Sequence, residues 1–372
     1  MRTFLGVGIC IGAFQVAWQA LPVLIDRKIV QDPALALSEA QVKISETFMF
    51  IGWLLGAIAL HPLMQRLDLK QVLVLLGVTM LAVSVATVTL PYITMLSMTL
   101  LCGVRLLHGM CLNIHGVQYI YMQNCFPGYG PQLCALENTV YAFVSMLMAM
   151  SCGTLTLHTD WRVEALMWLG LPLLLGLCTA FPDLGLVVGS LPKALMTPPS
   201  YAHSTGLEKA HGMSRSMQKD LVHLAFCFMA TVFAYYGLSY SADSLSTNPF
   251  LSALLISGSD VFGCMLASRA RDLGRNRAQV SGFVVAGVSL IACAMGTVDS
   301  VFVISMAMLA RGALSLVAVA MYVALADVFP QWCQKTALPS CEIMARVGGC
   351  LVPSCGALPV HLSLPLFGSA SW

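Results

Sequence analysis

About eleven stretches of roughly 20 mostly apolar residues run through this chain, and each is long enough to cross a bilayer as a helix. Hydrocarbon offers no water to an unpaired backbone N–H or C=O, so a spanning segment must satisfy its polar groups internally, which a helix does. The pattern predicts an all-α polytopic membrane protein with the lipid bilayer as its main partner. The hydrophobic fraction is 58% and the charged fraction 10%, against about a half and a quarter in soluble domains. Soluble catalysis and nucleic-acid binding are excluded on that balance.

The expected spans run over 4–25, 46–64, 71–91, 95–122, 135–156, 161–182, 221–240, 247–268, 279–298, 300–326 and 340–366. Met1-Arg2 followed by Phe4 to Ile25 is long for a signal peptide and lacks a small-x-small cleavage site, so it reads as a retained first helix. With a cytoplasmic N-terminus, the inside gaps hold Arg66, Lys70, Lys193, Lys209, Arg215, Lys219, Arg269, Arg271, Arg275, Arg277 and Lys335. The outside gaps hold only Arg27, Lys28, Lys43 and Arg162. That bias sets the orientation. Residues 183–220 form a polar stretch with Pro192, Pro198, Pro199, Gly206 and Gly212, and read as a cytoplasmic linker. It divides an N-terminal six-helix half (1–182) from a C-terminal half of about five (221–372). The expected architecture is six plus six with the twelfth helix missing.

The halves echo each other. Span four runs from Arg105 to Phe126-Pro127, and span ten from Arg311 to Phe329-Pro330. A short basic gap follows span two (Arg66, Lys70) and span eight (Arg269 to Arg277). Equivalent loops in equivalent places suggest a parallel internal repeat.

A charge inside hydrocarbon is expensive, which makes an intramembrane charge a functional candidate. Four stand out: Arg105, Asp260, Arg311 and Arg346. Asp260 has two readings, a counter-ion or proton site for cargo, or a structural partner of one of the arginines. Arg311 binds an anionic cargo or pairs with Asp260. Arg105 lies near a helix end, where snorkelling is easy. Arg346 and Glu342, one turn apart, form either an i, i+4 pair or part of a cytoplasmic gate. Tyr235 and Tyr236 beside Gly237 suit an organic cargo through ring faces and hydroxyls, with one ring facing the cavity, or else join an interfacial belt. The 14 cysteines are scattered through apolar spans with no C-x-x-C. His108 and His115 lack further ligands for a metal site. No P-loop, nucleophile elbow or H-E-x-x-H is present, so no cofactor, metal or enzymatic activity is expected.

Several of these segments together resemble the organic-cation and organic-anion transporters of solute carrier family 22, in the major facilitator superfamily. They are Arg105-Leu-Leu-His-Gly109, Asp160-Trp-Arg162, Ala234-Tyr-Tyr-Gly-Leu-Ser239, Asn248-Pro-Phe-Leu-Ser-Ala-Leu-Leu255, Ala326-Asp-Val-Phe-Pro330, and Arg346-x-Gly348 with Pro353. The resemblance implies a two-half helical bundle whose helices one, four, seven and ten line a central cavity. It also implies a plasma-membrane carrier of small organic ions working by alternating access. The expected cargo site is Tyr235, Tyr236, Asp260 and Arg311. The expected gate is Arg66, Lys70, Arg105, Arg269, Arg271, Arg275, Arg277, Asp327 and Arg346. The oligomeric state and the cargo's charge stay open, and a non-transporting relative is the alternative.

The departures from the family pattern are specific. Its D-R-x-G-R-R/K signature after helix two stands here as Gln65-Arg-Leu-Asp-Leu-Lys70, without the leading acid, the glycine or one arginine. That motif latches the cytoplasmic gate by charge pairing. A family glutamate of helix eight aligns with Ile256, with Asp260 one turn later.

Overall fold

Ser38 opens the first long helix through a reciprocal cap. Its hydroxyl accepts from the Gln41 backbone N–H at 3.3 Å, and its own N–H donates to Gln41 Oε1 at 2.8 Å. The computed structural model describes residues 29, 32, 37–67, 69–89, 94–114, 116–117, 119, 130–155, 213–245, 249–267, 274–295 and 300–356. Spans one and six, most of the linker, Arg269, Arg271 and the chain beyond 356 lie outside the described residues.

Nine helices carry the description: α1 (Glu39–Arg66), α2 (Leu69–Val88), α3 (Thr94–Cys111), α4 (Gly130–Leu155), α5 (Arg215–Leu245), α6 (Pro249–Ala267), α7 (Arg275–Ala294), α8 (Val301–Val328) and α9 (Gln331–Gly356). Among the described residues there is no strand. Each helix falls on an expected span, but several ends move. α5 starts at Arg215, so Arg215 and Lys219, placed in the linker, fall in its first turns. α9 starts at Gln331, ahead of the expected boundary at 340, because Pro330 ends α8 and opens the next helix. The preceding Phe329 is extended (φ −103°, ψ 125°), as a residue before proline should be. The Gln334 amide then donates to the carbonyls of Phe329 and Ala326, closing the end of α8. The long helix of span four ends at Cys111; a turn follows at Leu112 and Asn113, and the described residues Ile114, Gly116, Val117 and Tyr119 are helical again.

Among the described residues, four segments are long and apolar enough to cross a membrane: Ile44–Arg66, Arg215–Ser239, Asn276–Ala294 and Val301–Val328. Gln71–Thr87, Leu96–Cys111, Cys134–Leu147 and Leu254–Ala267 are shorter apolar helices. Their outward faces carry exposed Leu75, Val78, Phe143 and Phe262, which only a lipid environment covers without penalty.

The packing repeats itself. α1 rests chiefly on α3 as α6 rests on α8, and α9 crosses to α1 as α4 crosses to α6. A shift of six spans converts the first arrangement of each pair into the second. The crossing points correspond as well. Gly109 and Gly312 stand the same number of residues before Phe126-Pro127 and Phe329-Pro330. A Cβ on Gly109 would lie 2.0 Å from the Met49 carbonyl oxygen; one on Gly263, opposite Gly312, would lie 2.1 Å from the Gly312 oxygen. Only a residue without a side chain permits backbones that close.

Candidate functional site

Two buried polar networks flank a small cavity where helices of the two halves meet. The first is built on α5, α6 and α8. Arg311 Nε donates to both Asp260 oxygens, at 2.9 and 3.1 Å. Its Nη1 donates to the Tyr235 carbonyl at 2.7 Å and to the Ser239 hydroxyl at 2.6 Å. Asp260 also accepts from the Tyr235 hydroxyl at 3.2 Å and from the Ser315 hydroxyl. The guanidinium lies 3.2 Å over the Tyr235 ring. Asp260 and Arg311 are 3% and 6% exposed, and a buried pair persists only when its remaining hydrogen-bonding groups are satisfied. Here they are. The structural reading of Asp260 therefore describes its observed contacts.

The second network is built on α8 and α9. Arg346 pairs with Glu342 one turn away, and Glu342 accepts from the Tyr322 hydroxyl at 2.7 Å. The Arg346 guanidinium lies 3.6 Å over the Trp53 ring of α1. Its Nε has no hydrogen-bond partner among the described residues, and neither has Trp53 Nε1. Arg346 thus differs from Arg311 at Nε, which is bonded to Asp260 in Arg311 and has no hydrogen-bond partner in Arg346.

The cavity between them measures about 80 Å³. Trp53 and Tyr141 close it from one half; Tyr235, Tyr236, Asp260 and Arg346 close it from the other. Tyr236 sits edge-on to Phe50, Trp53 and Tyr235, each at 5.5 Å. Both tyrosines line the space, where one had been expected, because Tyr235 reaches Asp260 while Tyr236 wedges against α1. A larger apolar recess of about 600 Å³ lies among α6, α7 and α8, with exposed Phe262 and Leu309 on its wall and no charged side chain lining it. Convergent polar groups single out the smaller space.

Below the cavity the halves touch. Tyr119 stacks on Tyr322 with ring centroids 4.4 Å apart, and Phe228 meets Tyr322 edge-on at 5.0 Å. Asn138 donates to the Tyr119 hydroxyl. Leu60, Met64, Val117, Leu325, Phe329 and Leu338 surround them in one apolar cluster. This end of the bundle carries exposed Arg66, Arg215 and Lys219.

The residues expected at the gate divide. Arg66 and Arg277 are exposed at helix ends, and Asp327 is exposed near the end of α8. Lys70 and Arg275 fall in the first turns of α2 and α7, with side chains outside the described part. Arg105 is buried in α3 at 5% exposure rather than snorkelled. Arg346 is on the cavity wall, because the early start of α9 moves it to mid-helix. Trp53, Tyr119 and Tyr322 were absent from the sequence expectation. The repeat contained a signal for two of them: Tyr119 and Tyr322 stand equally far before Pro127 and Pro330.

No model of a known protein family matches the chain. Solute carrier family 22 member 6 of Pseudopleuronectes americanus is 25% identical over 140 residues, 37% of this chain and 25% of that protein. The Bos taurus protein of the same name is 25% identical over 181 residues, 48% and 32%. That of Oryctolagus cuniculus is 28% identical over 156 residues, 40% and 28%. The chain therefore matches about a quarter to a third of the length of these relatives. Among solved structures, the proton:xylose symporter XylE bound to 6-bromo-6-deoxy-D-glucose superposes with a TM-score of 0.75 at 13% identity, over 94% of this chain and 87% of that one. The inward open conformation of XylE from E. coli superposes with a TM-score of 0.64 at 12% identity, over 99% and 90%. The chain has the fold of the major facilitator transporters, and over part of its length it is similar to solute carrier family 22 member 6.

Proposed function

We propose that this chain carries small organic ions across the plasma membrane by alternating access, with Arg346 reading an anionic group on the cargo. The observation that supports this is a cavity at the seam of the halves with a guanidinium on its wall whose Nε is uncommitted. Guanidinium supplies five donors in a fixed fork, suited to a carboxylate. Tyr236 and its aromatic neighbours hold the cargo's apolar body. Asp260 presents a carboxylate neutralised by Arg311, so the wall repels anions less than a free aspartate would. Arg311 acts on cargo through Asp260 and Tyr235.

The positive-inside bias makes the end carrying Arg66, Arg215 and Lys219 cytoplasmic. The Tyr119–Tyr322 stack and its apolar collar then close the cytoplasmic side in this conformation. They take over the task of the altered Gln65-Arg-Leu-Asp-Leu-Lys70 latch, while Arg66, Lys70, Arg269, Arg271, Arg275 and Arg277 contribute charge around it. Residues 1–182 and 221–372 rock about the cavity, with 183–220 as tether.

The test is uptake by purified chain in liposomes, using labelled organic anions and cations, against Arg346→Gln. Saturable wild-type uptake of anions, lost in the variant, is expected. No flux of any ion from correctly inserted protein overturns the carrier reading.

A further inference from the structure

Glu342 is fully buried one turn from Arg346 on α9, behind the stretch of cavity wall that Arg346 and Tyr322 form. Both of its oxygens are engaged. Oε2 accepts from Arg346 Nη2, and Oε1 accepts from the Tyr322 hydroxyl at 2.7 Å. Against Oε1 lies Gly116 of the N-terminal half, so close that a Cβ there would stand 2.8 Å away. The carboxylate therefore has no room to swing off Arg346 while the halves are together.

The groups around this pair are mostly neutral. Tyr322 of α8, Tyr236 of α5, and Cys341 and Cys350 of α9 face it. Glu137 of α4 and the stacked Tyr119 lie close to Tyr322. α1 contributes the Trp53 ring, which does not titrate. Arg311, the other guanidinium near Tyr236, is bonded to Asp260. Of the groups named, Arg346 alone balances Glu342.

We propose that Glu342 is a proton-binding site that takes up one proton when an anionic cargo occupies the cavity, so that anion and proton cross together. This rests on the reading of the chain as a carrier of organic anions. One guanidinium neutralises one carboxylate. A second anion in a space closed to water leaves a net negative charge, which a low dielectric makes expensive. Glu342 is held too tightly to move away, so a proton relieves the excess. Tyr322 supplies the route, because its hydroxyl belongs to the cavity wall and already donates to Oε1. It hands its proton to Oε1 and regains one from cavity water, which leaves the phenol unchanged and the carboxyl neutral. The new O–H then donates back to the phenol oxygen, and the charge of Arg346 is left to the cargo.

The experiment uses benzenesulfonate, which stays ionised throughout the working range and does not cross lipid unaided. Calorimetry on the full chain, in buffers of different ionisation enthalpy, counts the protons bound with it. Wild type should take up about one proton per anion near neutral pH, and its affinity should fall about tenfold for each unit rise in pH. Glu342→Gln keeps the shape and the hydrogen-bonding capacity without a titratable group, and should bind the anion with no proton uptake and a flat pH profile. Glu342→Asp keeps the acid and should retain the slope. A flat wild-type profile overturns the proposal by itself, whatever the variants do. Proton uptake that persists in Glu342→Gln places the proton on another group and overturns it too, as does a wild-type chain that binds no benzenesulfonate. Liposome uptake separates the two readings. Benzenesulfonate flux with a flat profile leaves the carrier reading standing. Proton-linked binding in a protein that moves no ion overturns the carrier reading and leaves the Glu342 site in place.

Discussion

The two buried arginine–carboxylate pairs use the same chemistry for different ends. Arg311 and Asp260 lie on α8 and α6, and their contact joins two helices with every bond answered by α5, α6 or α8. Arg346 and Glu342 lie one turn apart on α9, so their contact ties no helix to another. A pair within one helix leaves the arginine oriented and incompletely bonded. A pair between helices, sealed by hydroxyls and a carbonyl, leaves the arginine's Nε and Nη1 occupied within the protein. Burial is alike in both, so burial of a charge does not by itself tell a strut from a binding group.

The largest expected effect breaks the strut. Asp260→Ala strands an arginine that cannot lose its proton, and stability should fall by about 3–5 kcal/mol. Thermal unfolding in detergent checks this. The double variant Asp260→Asn/Arg311→Gln should regain much of the loss, since it removes both charges and keeps polar partners. Additive losses would mean that the two side chains do not act as a unit.

Next comes the binding group. Arg346→Lys keeps the charge and gives up the planar fork, so kcat/KM for an anionic cargo should drop about 10- to 100-fold. The melting temperature should move less than in Asp260→Ala, because Glu342 keeps the Tyr322 hydroxyl and the lysine keeps a positive charge beside it. A transport loss no larger for Arg346→Lys than for a stability-matched α2 variant would place Arg346 with the struts.

How far this contrast was legible in the sequence follows from what sequence periodicity reports. Asp260 and Arg311 stood out because each violates the apolar character of its span, which hydrocarbon makes expensive, and Tyr235 because it is one of two adjacent phenols beside a glycine. The pairing of Asp260 with Arg311 stayed one reading among several, since span order does not fix which faces of α6 and α8 meet. That depends on the close approach at Gly263 and Gly312, a three-dimensional fact. Trp53 was invisible for the opposite reason. A tryptophan in an apolar span breaks no rule, and its unmet N–H exists only because the surrounding atoms offer no acceptor. The helix ends moved where Pro330 and Gln334 set the joint, which hydropathy does not weigh. Each of α1 to α9 overlaps an expected span, and four of them carry stretches long and apolar enough to cross a bilayer.

A smaller effect separates the cytoplasmic seal from the cavity. Tyr119→Ala removes a stacked ring worth about 0.5–1.5 kcal/mol beyond its area. The closed end should open more often, and buried Cys341 and Cys333 should react with maleimide roughly 2- to 10-fold faster. Tyr322→Phe keeps the stack and loses only the bond to Glu342, so its labelling rate should stay closer to wild type. Equal acceleration in both would shift the sealing role from the ring stack to the Tyr322–Glu342 bond.

The last comparison sets adjacent tyrosines against each other, and its Tyr236 arm carries the smallest expected effect. Tyr235 and Tyr236 share a helix and a cavity, but only Tyr235 gives its hydroxyl to the strut. Tyr235→Phe should cost about 1.5–3 kcal/mol, the value of a bond to a charged acceptor. Tyr236→Phe keeps the ring edges against Phe50 and Trp53 and should change stability by less than about 0.5 kcal/mol. Its informative readout is KM. An unchanged KM makes Tyr236 an apolar wall, with polar recognition left to Arg346. A KM raised about tenfold at unchanged stability means that its hydroxyl touches cargo, and the cavity then reads a second polar group beside the anionic one. The same substitution at neighbouring positions thereby sorts one phenol into the folding problem and the other into the recognition problem, which is the distinction drawn between the two arginines.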